Sequence, residues 1–166
     1  AIKPAAKLSK SKKIAILATQ ATAGNQRFLS LVEQHKNGSE VFIQPCPGLV
    51  ELIEQGKQES AECQALLEQY LQPLSQQNVD MLVLGCTHYP FVGKMIQGII
   101  GPDIQLLETA TPVSLQLKRQ LEQFQLLAKR STKGEYQFYT SLATSTQQQL
   151  FSRLWQSEIC LQPLNE

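Results

Sequence analysis

Charge is scarce in this chain. Asp, Glu, Lys and Arg make up 17% of its 166 residues, and 15 basic side chains against 14 acidic ones leave a net charge of +1. A protein that grips nucleic acid or a membrane surface concentrates cations, so neither is an expected partner. Long apolar runs are absent as well. No stretch of about 18 apolar residues occurs, so no segment reads as a membrane span. Residues 1–13 are basic and lack an apolar core segment, so they do not read as a signal peptide. The four cysteines, Cys46, Cys63, Cys86 and Cys160, form no CxxC pair. Free thiols in a reducing cytoplasm fit this spacing better than a disulfide framework. There is no internal repeat, and the many glutamines are spread out and make no low-complexity tract.

What is present is an ordinary globular composition, 42% apolar, with a clear alternation of element types. Residues 13–18 read as a strand, and 19–25 as a turn containing Gly24. Asn25 caps a helix running to about His35, and Asn37-Gly38-Ser39 stops it. Residues 40–44 form a second strand. A short helix begins at Pro47 and ends at Gly56. Residues 60–76 form a long amphipathic helix with Pro73 near its end. Residues 80–85 are a third strand, 90–100 a helix, and 103–107 a fourth strand. Strands alternating with helices predict a doubly wound, mostly parallel α/β sheet. The pattern then changes. Residues 109–129 read as a helix, 131–135 as a polar break, 135–141 as a strand, 146–155 as an amphipathic helix and 159–161 as a last short strand. Lys3, Lys7, Lys10, Lys12 and Lys13 read as a solvated linker.

One stretch stands apart, Met81-Leu82-Val83-Leu84-Gly85-Cys86-Thr87-His88-Tyr89-Pro90. Four apolar residues form a buried parallel strand. Gly85 ends it and permits a close backbone approach, and Pro90 opens the next helix. Cys86, Thr87 and His88 then lie at the carboxyl end of a strand, where open α/β sheets place their ligands. A thiol and an imidazole two residues apart at such a position point to acid–base or nucleophilic chemistry.

Gly85-Cys86-Thr87-His88-Tyr89-Pro90 resembles the second cysteine motif of the glutamate racemases, within the aspartate/glutamate racemase superfamily. Gly-Cys-Thr is shared across that superfamily, and the following His-(Tyr/Phe)-Pro is more typical of its glutamate branch. Other segments agree. Residues 1–6 resemble the crossover into the second domain of these enzymes. Thr19-Gln20-Ala21-Thr22 resembles their Thr-x-x-Thr turn, and Cys46-Pro47 through Ile53-Glu54-Gln55-Gly56 resembles their Cys-Pro…Val-Glu-x-Gly helix. The likeness is good to about Thr111 and thin beyond. The Asp-Ser-Gly-x-Gly-Gly loop and the Cys-Asn-Thr-Ala motif of the family do not occur here.

The resemblance implies that residues 1–111 are the second domain of a racemase. Residues 112–166 would then be a segment returning to a first domain that is otherwise absent, leaving apolar surface without its partner. It also implies cofactor-independent interconversion of L- and D-glutamate by two thiols, supplying D-glutamate for peptidoglycan in the cytoplasm, with a homodimer as the assembly. Cys86 would be one base, His88 its helper and Glu54 the acid that orients His88. Thr87, His88 and Thr22 would hold the substrate. No metal is expected, because a closed zinc site needs about four ligands and Cys86 and His88 supply two.

Other readings stay open beside this one. A cysteine after an apolar strand is by default a small buried side chain, and Cys46 is read as packing. Glu54 alone reads as a solvated helix residue, and Cys63 and Cys160 as incidental. The chain could instead be an aspartate or hydantoin racemase, a non-catalytic α/β binding domain, or a cysteine hydrolase. No Gly-x-Cys-x-Gly elbow supports the last. Leu107-Glu108-Thr109-Ala110 stands where the family often has Asp-Ser-Gly, so no role is assigned to Glu108 or Thr109.

Overall fold

Alternating side chains on the central strand divide the core into two layers. The computed structural model describes residues 1–129 and 132–164. Strand β1 (Lys13–Ala18) lies between β2 (Glu40–Pro45) and β3 (Met81–Leu84), and β4 (Gln105–Glu108) pairs with β3. All three pairings are parallel, in the order β2-β1-β3-β4. Ile14 and Ile16 of β1 face one side with Met81 and Val83 of β3, while Ala15 and Leu17 face the other with Leu82 and Leu84. A strand alternates its side chains with period two, so a strand buried on both faces needs an unbroken apolar run. The expected doubly wound sheet is therefore present.

The first face is covered by α1 (Ile2–Leu8) and α3 (Gln26–His35), through Ala5, Ala6 and Val32. The second is covered by α4 (Leu49–Glu54), α5 (Ala61–Ser75) and α6 (Gly93–Ile100), through Leu49, Ile53, Leu67, Leu71 and Ile96. Side-chain caps start α3 and α5, where Asn25 accepts from Phe28 N–H and Ser60 from Cys63 N–H. Each such cap is worth about 1 kcal/mol. Helix α5 runs through Pro73 and stops two residues later.

Three local expectations are corrected. The basic segment is not a solvated linker over its whole length, because Ile2–Leu8 form α1 with Ala5 and Ala6 fully buried. Its lysines lie around an apolar face that a charge count conceals. The 19–25 turn contains a four-residue helix, α2 (Gln20–Ala23), capped by Thr19. The helix expected to open at Pro90 is a 3-10 turn over Tyr89–Val92 followed by α6.

The chain continues through α7 (Ala110–Gln123) into a second, two-stranded parallel sheet of β5 (Phe138–Thr140) and β6 (Leu161–Pro163), bridged by α8 (Ser145–Trp155). The polar break expected at 131–135 begins at Ser131, outside the described residues. Helix α7 is shorter than its apolar pattern predicts. It ends in a left-handed Gln125, with Gln125 N–H donating to Glu122 C=O and Leu126 N–H to Leu121 C=O. No residue of α7 is buried, and Val113, Leu115, Leu117 and Phe124 are exposed. Helix α8 is held to β6 by Gln148, whose side-chain carbonyl accepts from Leu161 N–H at 2.8 Å. Trp155 packs edge-on against Phe138, with ring centres 5.1 Å apart. Among the described residues, no helix is long and apolar enough to cross a membrane.

Candidate active site

The site is built at the carboxyl end of β3. Gly85 extends the pairing one residue past the strand, its N–H donating to Leu17 C=O at 2.8 Å. A Cβ on Gly85 would stand 2.7 Å from that same carbonyl oxygen. The close approach expected at Gly85 is thus to the backbone of β1, and only glycine permits it. Cys86 follows at once, half-buried against the second core layer. His88 precedes the 3-10 turn, and the chain folds back there so that Tyr89 N–H reaches Cys86 C=O at 3.3 Å.

Three side chains form a line. Cys86 Sγ lies 3.9 Å from His88 Nδ1, and His88 Nε2 lies 3.1 Å from Glu54 Oε1. The second contact spans 34 residues of sequence. A carboxylate only accepts, so the Nε2–H donates to Glu54, and Nδ1 of the neutral ring is left bare toward the thiol. A thiol donating to Nδ1 can pass its proton to the ring. The resulting imidazolium is stabilised by the thiolate on one side and the carboxylate on the other. Glu54 is 62% exposed and His88 33% exposed. An ion pair this open adds at most about 1 kcal/mol of stability, so its consequence is the tautomer and orientation of the ring.

Glu54 stands in the last turn of α4, which closes as expected at Gly56. That residue has φ of +73°, its N–H donates to Ile53 C=O, and Lys57 N–H donates to Leu52 C=O. The paired bonds define a Schellman stop. Thr87 is exposed beside Cys86. Thr22 stands past the carboxyl end of β1, the strand next to β3, and its hydroxyl lies 2.9 Å from that of Thr19. Thr19 also accepts from Thr22 N–H and so caps α2, a structural duty the sequence reading did not assign to it.

The other cysteines separate clearly. Cys46 is buried, and burial pushes its thiol up to about 12. Cys63 is buried and also raised, chiefly by burial. Cys160 is exposed on the tail. Tyr89 is fully buried beside Cys46. Among the described residues, no group of three or more His, Cys, Asp or Glu side chains is arranged to hold a metal ion.

A cavity of about 370 Å³ adjoins the His88–Glu54 pair, walled by Phe91 and, from the tail, by Phe138, Phe151 and Trp155. The amphipathic stripe of 146–155 was legible in the sequence. That it would wall a cavity beside these two residues was not, because nothing local says which surface a helix faces.

Residues 1–135 match the family model described as Asp/Glu/Hydantoin racemase. The chain belongs to the Asp/Glu/Hydantoin racemase family. It is 39% identical over 158 residues to a glutamate racemase of Pseudomonas paraeruginosa, covering 95% of this chain and 59% of that protein. The chain thus spans about three fifths of the length of the curated racemases it matches. Its fold superposes on a glutamate racemase of Bacillus anthracis with a TM-score of 0.87 at 24% identity, covering 99% of this chain and 63% of that one. It also superposes on an Escherichia coli glutamate racemase, solved with L-glutamate and the activator UDP-MurNAc-Ala, with a TM-score of 0.81 at 23% identity, covering 99% and 62%. The mostly parallel α/β architecture is that of these racemases.

Proposed function

We propose that this chain supplies the Cys86 half of a glutamate racemase site. The observation that carries the reading is the line Cys86–His88–Glu54 at the carboxyl end of β3. Racemisation removes the Cα proton on one face and returns a proton on the other. A thiol with a reference pKa near ~8.5 becomes a usable base near neutral pH when a neighbour takes its proton. In this reading His88 takes that proton and Glu54 holds the ring. The Cys86 thiolate then removes the Cα proton of L-glutamate, and a second thiol delivers a proton to the opposite face. In the reverse direction Cys86 is the donor. Thr87, from its backbone N–H and hydroxyl, and Thr22 receive the substrate carboxylate. The proton transfers need no cofactor.

Glutamate as substrate is supported by the curated relatives, which are named glutamate racemases, and by the E. coli neighbour, which was solved with L-glutamate. The whole protein would supply D-glutamate for peptidoglycan and act as a cytoplasmic homodimer. The test is chiral chromatography of L-glutamate incubated with the complete protein that carries this segment. D-glutamate should form, and Cys86→Ser should reduce its formation by orders of magnitude, because a hydroxyl is a far weaker acid than a thiol. Residues 1–166 alone should give no turnover, since one thiol cannot serve both faces. Turnover by the segment alone, or a near wild-type rate for Cys86→Ser, would refute the reading.

A further inference from the structure

We propose that Arg153 is a positioning residue that fixes Glu54 against His88, an inference that rests on the proposed role of that pair. Arg153 lies on α8, in the tail, and reaches across to Gly56 at the end of α4. A Cβ built on Gly56 would stand 3.1 Å and 3.4 Å from its two terminal nitrogens and 3.5 Å from Cζ. The whole guanidinium therefore rests on the one residue of this turn without a side chain. Any other residue at position 56 would push it by a few tenths of an ångström, besides being strained at φ of +73°.

The location matters because Glu54 is the last helical residue of α4, two before Gly56. Helix α4 has only six residues, so tertiary contacts rather than its own backbone bonds hold it in place. Its end points carbonyl groups outward, which favour a cation beside them. The same face of α8 presents Leu150, Phe151 and Leu154 to the cavity beside Glu54 and His88. These side chains wall the cavity on the tail side, and Arg153 sets its guanidinium over the turn that carries the carboxylate. A planar guanidinium offers this turn a broader surface than a lysine ammonium.

The test reads Cys86 alone. The complete protein that carries this segment is treated with iodoacetamide near neutral pH, and alkylation of Cys86 is timed by peptide mass spectrometry, with exposed Cys160 as the internal control. Four variants are compared with the parent: Glu54→Gln, Arg153→Met, Arg153→Lys and the double Glu54→Gln/Arg153→Met. Arg153→Met keeps the side-chain stem, and circular dichroism verifies folding. Glu54→Gln and Arg153→Met should each slow Cys86 by several-fold, on the order of three to ten. Arg153→Lys should recover part of the loss, and Cys160 should not change. The double variant should be no slower than Glu54→Gln, because Arg153 acts through Glu54. Arg153→Met at the parent rate while Glu54→Gln is slow would overturn the role of Arg153 and leave the pair standing. Equal slowing of Cys160, or additive losses in the double variant, would reduce Arg153 to a general support of the fold. If Glu54→Gln itself changes nothing, the pair has no hold on the thiol and both readings fall.

Discussion

His88 Nε2 and Glu54 Oε1 stand 3.1 Å apart although 34 residues separate them in sequence. The contact joins the loop after β3 to the last turn of α4, and it leaves His88 Nδ1 to face Cys86. Glu54→Gln keeps an acceptor for Nε2–H but removes the charge that favours the imidazolium. In the complete enzyme it should lower kcat by about tenfold with KM nearly unchanged, as expected for an interaction that strengthens as charge develops. His88→Asn should slow the step at Cys86 further. Because the equilibrium constant of a racemisation is unity, kcat/KM must fall equally in both directions. The asymmetry should appear in the α-deuterium isotope effect, which should rise for L-glutamate and not for D-glutamate. An unchanged isotope effect for both would indicate a binding role.

The four thiols should react in a defined order. Cys46 and Cys63 are buried with raised pKa values, so iodoacetamide should reach them only on unfolding. Cys86 should react faster than exposed Cys160, because it alone has an imidazole at hand. If the proposed function holds, glutamate should protect Cys86 in the complete protein. Peptide mapping over a time course checks the order, and Cys160 reacting first would count against an activated thiol.

Gly85→Ala should destabilise the protein by about 2–4 kcal/mol, since the new methyl meets a backbone carbonyl rather than a yielding side chain. Equilibrium urea unfolding measures the loss. A change below about 0.5 kcal/mol, the level of a neutral surface substitution, would mean that β1 and β3 part easily at this end.

Asp80 ties the loop after α1 to the start of β3. It accepts from the Ser9 hydroxyl at 2.6 Å and from the N–H groups of Lys10 and Ser11 at 2.6 and 2.8 Å. Burial alone would raise its pKa, but these bonds outweigh burial and hold it at about 2. Its folded pKa is therefore below its unfolded value. The stabilisation is complete above about pH 4 and is lost as pH falls toward about 2. Asp80→Asn should lower stability at neutral pH by about 1–2 kcal/mol and flatten the acid limb of stability against pH over that window. An acid limb identical to the parent's would remove Asp80 from the account.

Much of the fold was legible because its signals are local. An apolar run between polar turns specifies a buried strand, and Asn25, Ser60 and Gly56 punctuate helices with side chains or conformations that few other residues supply. The misreadings have equally local causes. The end of α7 was placed too late because Gln125, not glycine, takes the left-handed position there. The segment around Lys3 and Lys7 hid α1 because its buried face consists of Ala5 and Ala6, whose small side chains carry little hydrophobic pattern.

For the site, the residues from Met81 to Pro90 by themselves determined that a thiol and an imidazole would emerge together at a strand end. Backbone geometry dictates that much within a few residues. What Gly85 accommodates, which atom of His88 faces Cys86, and which element walls the cavity beside Glu54 were decided by tertiary structure. The Leu17 carbonyl and the Glu54 carboxylate come from β1 and α4, and only the packing of distant segments brings them to the end of β3. A contact between segments far apart in sequence depends on the register and docking of whole elements, which no local pattern encodes.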